Sequence, residues 1–208
     1  MMTHLPPLSL YVHIPWCVKK CPYCDFNSHT SQDIPEKYYL EQLKKDLLAD
    51  LIFVKNRPLR SIFIGGGTPS LMSAEFYKEL LSFIAEHIEI DQTTEITLEA
   101  NPGTTEASKF VGYRDAGINR LSIGVQSFHT QHLKALGRIH SGDHAIQAIT
   151  QAKQAGFDNF NIDLMHGLPE QNQAQAFDDI QRAIYAKVVQ KCGNRMHWEQ
   201  WANDIAKI

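Results

Sequence analysis

Three cysteines fall within eight residues, in Cys17-Val18-Lys19-Lys20-Cys21-Pro22-Tyr23-Cys24. Three and then two residues separate them, the spacing of a loop that folds its thiols onto one small object. A [4Fe–4S] cluster is such an object, since cysteine thiolates hold it. With only three local thiols, one iron would stay open to an exogenous ligand, which makes a reactive site rather than a closed electron carrier. Two other readings stand beside it. Structural zinc ordinarily brings a paired second half, and Cys192 stands alone, although His13 and His29 flank the loop as further nitrogen donors. A disulfide with a leftover thiol suits a reducing compartment poorly. The spacing favours a cluster over zinc, and zinc over a disulfide.

A loop needs an element to hold it. Leu8-Ser9-Leu10-Tyr11-Val12-His13-Ile14 alternates and is rich in β-formers, so it reads as a strand ended by Pro15. The cysteines then follow a strand's carboxyl end, where α/β folds place their chemistry. Helical spacing from Ile34-Pro35-Glu36 through Leu51 comes next and breaks at Asn56-Arg57-Pro58. The short apolar run Ser61-Ile62-Phe63-Ile64 reads as a buried parallel strand. It opens into Gly65-Gly66-Gly67-Thr68-Pro69-Ser70. One glycine suffices for a tight turn; three at a strand's end favour a ligand approaching the backbone. No Gly-Lys-Ser/Thr follows, so this is no P-loop.

Further strands read over Thr94–Glu99, Arg120–Ser127 and Phe160–Met165, with helices between them. Ser73 is the expected cap of one helix and Asp143 of another. A single helix is expected from Thr104 or Thr105 through Tyr113, stopping at Gly117. Glu99 and Gln126 end their strands, Arg138 offers a fork suited to a carboxylate, and Asp163 lies within an apolar strand, where it needs a partner. Five strand–helix alternations imply a parallel sheet with right-handed crossovers. The glycines, Glu99, Gln126, Asp163 and the cysteine loop then share one mouth of a barrel or curved sheet.

Composition sets outer bounds. The chain has 208 residues, 43% hydrophobic and 21% charged, with a net charge of −3. These values suit one sizeable globular domain and give no footprint for nucleic acid. No apolar run approaches the roughly 18 residues of a membrane span. The first residues lack a basic region and an apolar core, so no secretory signal is expected and the default address is the cytoplasm.

The series Tyr11-Val12-His13-Ile14-Pro15, the cysteine motif, Gly65–Ser70, Leu98-Glu99-Ala100-Asn101-Pro102, Leu121–Phe128, Gly137-Arg138 and Asn161–Pro169 resembles the radical S-adenosylmethionine (SAM) superfamily. Within it, the series resembles the oxygen-independent coproporphyrinogen III oxidase group. The resemblance runs over residues 8 to 184 in unbroken order. It implies an α/β fold: a partial (β/α)6 TIM-like barrel of about five parallel strands with outer helices, lacking the sixth strand and the C-terminal domain. It implies that Cys17, Cys21 and Cys24 ligate a [4Fe–4S] cluster. SAM binds the open iron, and one electron cleaves its sulfonium bond to a 5′-deoxyadenosyl radical. It further implies that Gly66, Gly67 and Thr68 cradle the methionine end of SAM, with Tyr11, Glu99, Gln126, Arg138 and Asp163 as the other contacts.

The oxidases of this group carry another cysteine two positions after the third. Here that position is Phe26, so the chain resembles the HemW-type heme-chaperone branch. Its members bind heme and pass it to haemoproteins. Heme or porphyrin, a haemoprotein recipient and a reducing partner are therefore the implied partners, with His13, His29, His140 and His166 as candidate heme ligands. An oxidase-type decarboxylase and a zinc-binding module are the alternatives. Residues 1–184 read as the radical SAM core, and residues 185–208, from Tyr185 to Ile208, as an atypical tail of foreign or frameshifted origin.

Overall fold

The computed structural model describes residues 5–31 and 33–186. Five strands form one parallel sheet: β1 (Leu8–Ile14), β4 (Leu59–Gly66), β5 (Glu95–Ala100), β6 (Arg120–Gln126) and β7 (Phe160–Leu164), hydrogen-bonded in that order. A two-residue ladder, β2 (Trp16–Cys17) with β3 (His29–Thr30), lies beyond β1. Helices α1 (Glu36–Val54), α2 (Ala74–His87), α3 (Thr104–Ala107), α4 (Phe110–Asp115), α5 (Thr130–Ala135), α6 (Gly142–Gln154) and α7 (Gln173–Tyr185) occupy the connections. Strand order follows chain order, as repeated strand–helix units produce. Among the described residues the sheet does not close: β1 and β7 are its two edges.

The pleat divides the sheet's two faces. Val12, Ile14, Ile62, Ile64, Ile96, Leu98, Leu121 and Ile123 belong to one buried cluster with Leu40 and Leu47 of α1, Phe76 and Leu80 of α2, and Phe110 and Tyr113 of α4. The intervening residues Tyr11, Phe63, Thr97, Glu99, Ser122 and Asp163 take the other face, because successive side chains alternate. Ser61–Ile64 lies in a parallel strand as expected, with Ile62 and Ile64 buried, while Phe63 is exposed on the other face.

Ser73 caps α2 by accepting from Phe76 N. Asp143 does not cap α6. Ser141 does, in a capping box with His144, and Asp143 sits in the first turn, where it complements the helix dipole. The single helix expected over residues 104–113 is two helices, broken at Ser108-Lys109. At the break the Lys109 ammonium donates to the carbonyls of Ser70, Leu71 and Met72 at 3.3, 2.6 and 3.3 Å. It thereby ties α4 to the turn that follows the glycines. Residues 187–208, with Cys192, Met196, Trp201 and Ile205, lie outside the described residues, and so does most of the expected tail.

Candidate functional site

The cysteine loop is pinched at its base. β2 and β3 pair Trp16 with His29 and Cys17 with Thr30, and His29 N donates to Pro15 O at 2.7 Å. Inside the loop Cys24 N donates to Cys21 O at 3.0 Å, closing a turn that sets the second and third thiols. The His13 ring anchors the far side. Its Nε2 lies 2.8 Å from Asn27 O, an acceptor, so Nε2 carries the proton and Nδ1 accepts from the Tyr11 hydroxyl at 3.0 Å.

The glycine run makes room for this loop. Gly67 N donates to Ile14 O and Thr68 N to Trp16 O, both at 2.7 Å. A Cβ on Gly67 would stand 2.5 Å from Trp16 O and 3.1 Å from Cys17 Sγ. Gly66 has φ +117°, and a Cβ there would meet the His13 ring at 2.7 Å. The glycines thus admit the chain's own cysteine segment first. Two of the N–H groups that could face a ligand are spent on holding it.

One cleft of about 220 Å³ collects the chemistry. Cys17, Cys21 and Cys24, all free thiols, lie on its wall. Gly66, Gly67, Thr68, Glu99, Gln126, Arg138 and Asp163 line the remainder. Tyr11 is the one expected contact outside it. It is exposed, stacked on Phe63 with centroids 6.3 Å apart, and its hydroxyl serves His13. Among the described residues no set of three histidines, cysteines, aspartates or glutamates converges on a single metal ion. Cluster ligation has no such requirement, since each thiolate binds its own iron.

Electrostatics divide the cleft. Burial raises the Glu99 carboxyl; the Gly66 N–H at 3.2 Å and His13 oppose the rise, and Asp163 adds to it. Burial likewise raises Asp163, against hydrogen bonds from Ser122 Oγ at 3.0 Å and Asn161 Nδ2 at 2.7 Å. Asp163 remains solvent-reachable in the open cleft, so it has the expected partners without the expected full burial. Opposite stands Arg138. Its Nη2 donates to Asn101 Oδ1 at 2.8 Å and Gly124 O at 2.6 Å, its Nη1 points to Cys21 Sγ at 3.7 Å, and its Nε is buried without a partner. Gly137, at φ +71°, admits this geometry: a Cβ there would stand 2.8 Å from Pro22 of the cysteine loop.

Several supporting residues were not singled out from sequence. Asn101 bridges Thr68 Oγ1 at 3.2 Å and Arg138. Ser122 and Asn161 hold Asp163. Asp179 of α7, fully buried, accepts from Phe128 N at 2.6 Å and Ser127 Oγ at 2.8 Å, fixing the segment just after Gln126. Gln126 itself has φ +67° at a register shift between β6 and β7.

The family model for the radical SAM superfamily matches residues 11–183. The chain belongs to the radical SAM superfamily. Its relatives include the heme chaperone HemW of Haemophilus influenzae, 56% identical over 88% of this chain and 49% of that protein. The HemW of Escherichia coli is 51% identical over the same shares. This radical SAM chain thus spans about half the length of the curated relatives it matches. Among solved structures, the coproporphyrinogen III oxidase HemN of Escherichia coli, described as a radical SAM enzyme, superposes with a TM-score of 0.78 at 29% identity. The match covers 86% of this chain and 42% of that one. The radical SAM methyltransferase TsrM of Kitasatospora setae shares the fold at a TM-score of 0.56 and 11% identity. Membership in the superfamily implies a [4Fe–4S] cluster and SAM. The three free thiols around one cleft and the orphaned, buried Arg138 Nε beside them fit that pair of groups.

Proposed function

We propose that residues 1–184 are the radical SAM core of a heme chaperone, with Cys17, Cys21 and Cys24 as the cluster ligands. The observation that carries this reading is the gathering of those thiols, the Gly66–Thr68 turn, Arg138 and two carboxylates around one cleft. When bound, the cluster supplies one electron to the sulfonium of SAM. The chain's own part is binding and orientation. Arg138 Nε, the one donor of that side chain left buried without a partner, would be the group available to the carboxylate of SAM. Glu99 and Asp163 accept from ammonium or ribose hydroxyl groups, and Gln126 and Thr68 complete the polar wall. Tyr11 contributes through His13, which holds the cysteine loop.

Heme as cargo is supported by the relatives named heme chaperone and by Phe26, which lines the cleft where the oxidases carry a further cysteine. The candidate imidazoles separate clearly. Both ring nitrogens of His13 are engaged. His140 is buried with Nε2 against Val125 O at 3.1 Å, and burial lowers it to about 4. His29 and His166 are the solvent-reachable pair. A haemoprotein recipient, a reducing partner and a cytoplasmic setting belong to the same proposal. Among the described residues no helix is long and apolar enough to cross a membrane. Tyr185 closes α7 and Ala186 packs against the core, so the proposed tail begins after residue 186.

The likeness to the coproporphyrinogen III oxidase gives the decarboxylase reading its weight, and one experiment separates the two. The anaerobically reconstituted protein is titrated with heme and, separately, incubated with coproporphyrinogen III, SAM and a reductant. Saturable heme absorbance without decarboxylation is expected. Decarboxylation without heme binding overturns the chaperone reading, and zinc in place of iron on metal analysis overturns both.

A further inference from the structure

Arg138 offers five N–H donors in a rigid plane. Two contacts fix that plane: Nη2 donates to Asn101 Oδ1 at 2.8 Å and to Gly124 O at 2.6 Å. The backbone is fixed as well, since Arg138 N donates to Leu133 O at 2.9 Å at the end of α5. With plane and backbone both set, the direction of Nη1 follows. It meets Cys21 Sγ at 3.7 Å, within reach of an N–H···S hydrogen bond. Two glycines permit this approach. A Cβ on Gly124 would stand 3.2 Å from Nη2, and a Cβ on Gly137 would strike Pro22, the neighbour of Cys21. The fork that suits a carboxylate is therefore largely committed to the protein, and one arm is aimed at a cysteine sulfur.

We infer that Arg138 sets the reduction potential of the iron–sulfur cluster through its hydrogen bond to Cys21 Sγ. The inference rests on the reading of Cys21 as a cluster ligand. Reduction adds one electron, drawn from an external low-potential donor, and places negative charge on the iron and sulfur atoms. A cationic donor on a ligating sulfur stabilises the reduced form more than the oxidised one, because hydrogen bonds to the sulfurs and local charge tune such potentials. Arg138 thereby raises the potential of the cluster before any substrate arrives. Asn101 is a positioning residue that acts through Arg138.

The test is a potentiometric titration of the reconstituted protein, monitored by electron paramagnetic resonance, with dithionite as reductant and without SAM. Leaving SAM out keeps any contact between Arg138 and substrate away from the readout. Arg138→Met, which keeps the stem and removes every donor, is expected to make the one-electron reduction constant about tenfold less favourable, a shift of about 59 mV to more negative potential. Arg138→Lys, with charge but no fork, falls between. Asn101→Ala shifts the same way by less, and it carries the test should Arg138→Met fail to retain iron and sulfide. Loaded variants with the wild-type potential, or a more positive one, overturn the inference. Wild-type protein that takes up no cluster overturns instead the reading of the cysteines, so the two failures are distinct.

Discussion

Gly67→Ala tests whether the triple-glycine turn exists to seat the cysteine segment. The new Cβ would stand 2.5 Å from Trp16 O, 2.9 Å from Trp16 C and 3.1 Å from Cys17 Sγ. The first two are backbone atoms and cannot swing away, so β2 must separate from the turn. Two hydrogen bonds cross that contact, Gly67 N to Ile14 O and Thr68 N to Trp16 O. Losing both costs about 1 kcal/mol each, and forced overpacking adds about 1–3 kcal/mol. The total of about 3–5 kcal/mol is a large share of the roughly 5–15 kcal/mol that keeps a typical domain folded. Gly156→Ala is the control. Its φ is +80° with nothing within 4 Å, so it costs only about 1–2 kcal/mol of backbone strain at a position remote from the cysteines. Urea unfolding and iron content after anaerobic reconstitution measure both consequences. Gly67→Ala should lower the midpoint and lose iron, whereas Gly156→Ala should lower the midpoint and keep it. A Gly67→Ala protein with wild-type midpoint and full iron would refute the reasoning.

Other consequences follow from the same geometry. Asp179→Ala leaves Phe128 N and Ser127 Oγ without their acceptor in a buried place; a loss of about 1–3 kcal/mol for each stranded donor is expected by urea unfolding, together with weaker SAM binding as the Gln126 segment loosens. His140 is held neutral, its pKa lowered from 6.5 to about 4 by burial first and by Arg138 second. The unfolded chain binds the extra proton between those values, so stability is full above about 6.5 and declines as pH falls toward 4, by up to about 3 kcal/mol. His140→Gln should flatten that slope in unfolding measured across this range. Glu99 shows the opposite sign: burial raises its carboxyl, so its ionisation opposes folding as pH rises. Glu99→Gln should therefore raise the thermal midpoint near about pH 8, with the difference vanishing below the ordinary carboxylate range.

The strand–helix rhythm was legible because each period carries its own signals. The alternation of Leu8–Ile14 coincides with β1, and Ser73 caps α2 as its position before an apolar helix face indicates. The gathering at one mouth was legible too, because residues at the carboxyl ends of parallel strands must share a rim. What escaped depends on long-range contact. Asp179 looks like any acidic residue on an amphipathic helix, and only the packing of α7 against the β6–α5 connection makes it a buried acceptor. Asn101 sits in a recognised motif, but its use as a bridge between Thr68 and Arg138 needs three separate loops. The glycines were read as room for a ligand; their first use, room for Trp16 and Cys17, requires knowing that β2 lies against them. Asp143 lost the cap to Ser141 because two polar residues two positions apart compete for one role and local sequence does not say where the helix begins.

The most direct measurement is electron paramagnetic resonance of the reduced, anaerobically reconstituted protein before and after SAM is added. Three thiols and an open iron predict about four irons and four sulfides per chain, a signal lost in Cys21→Ala, and a change in that signal when SAM occupies the open iron. A cluster whose spectrum SAM leaves unaltered, or full cluster loading in Cys21→Ala, would contradict the account.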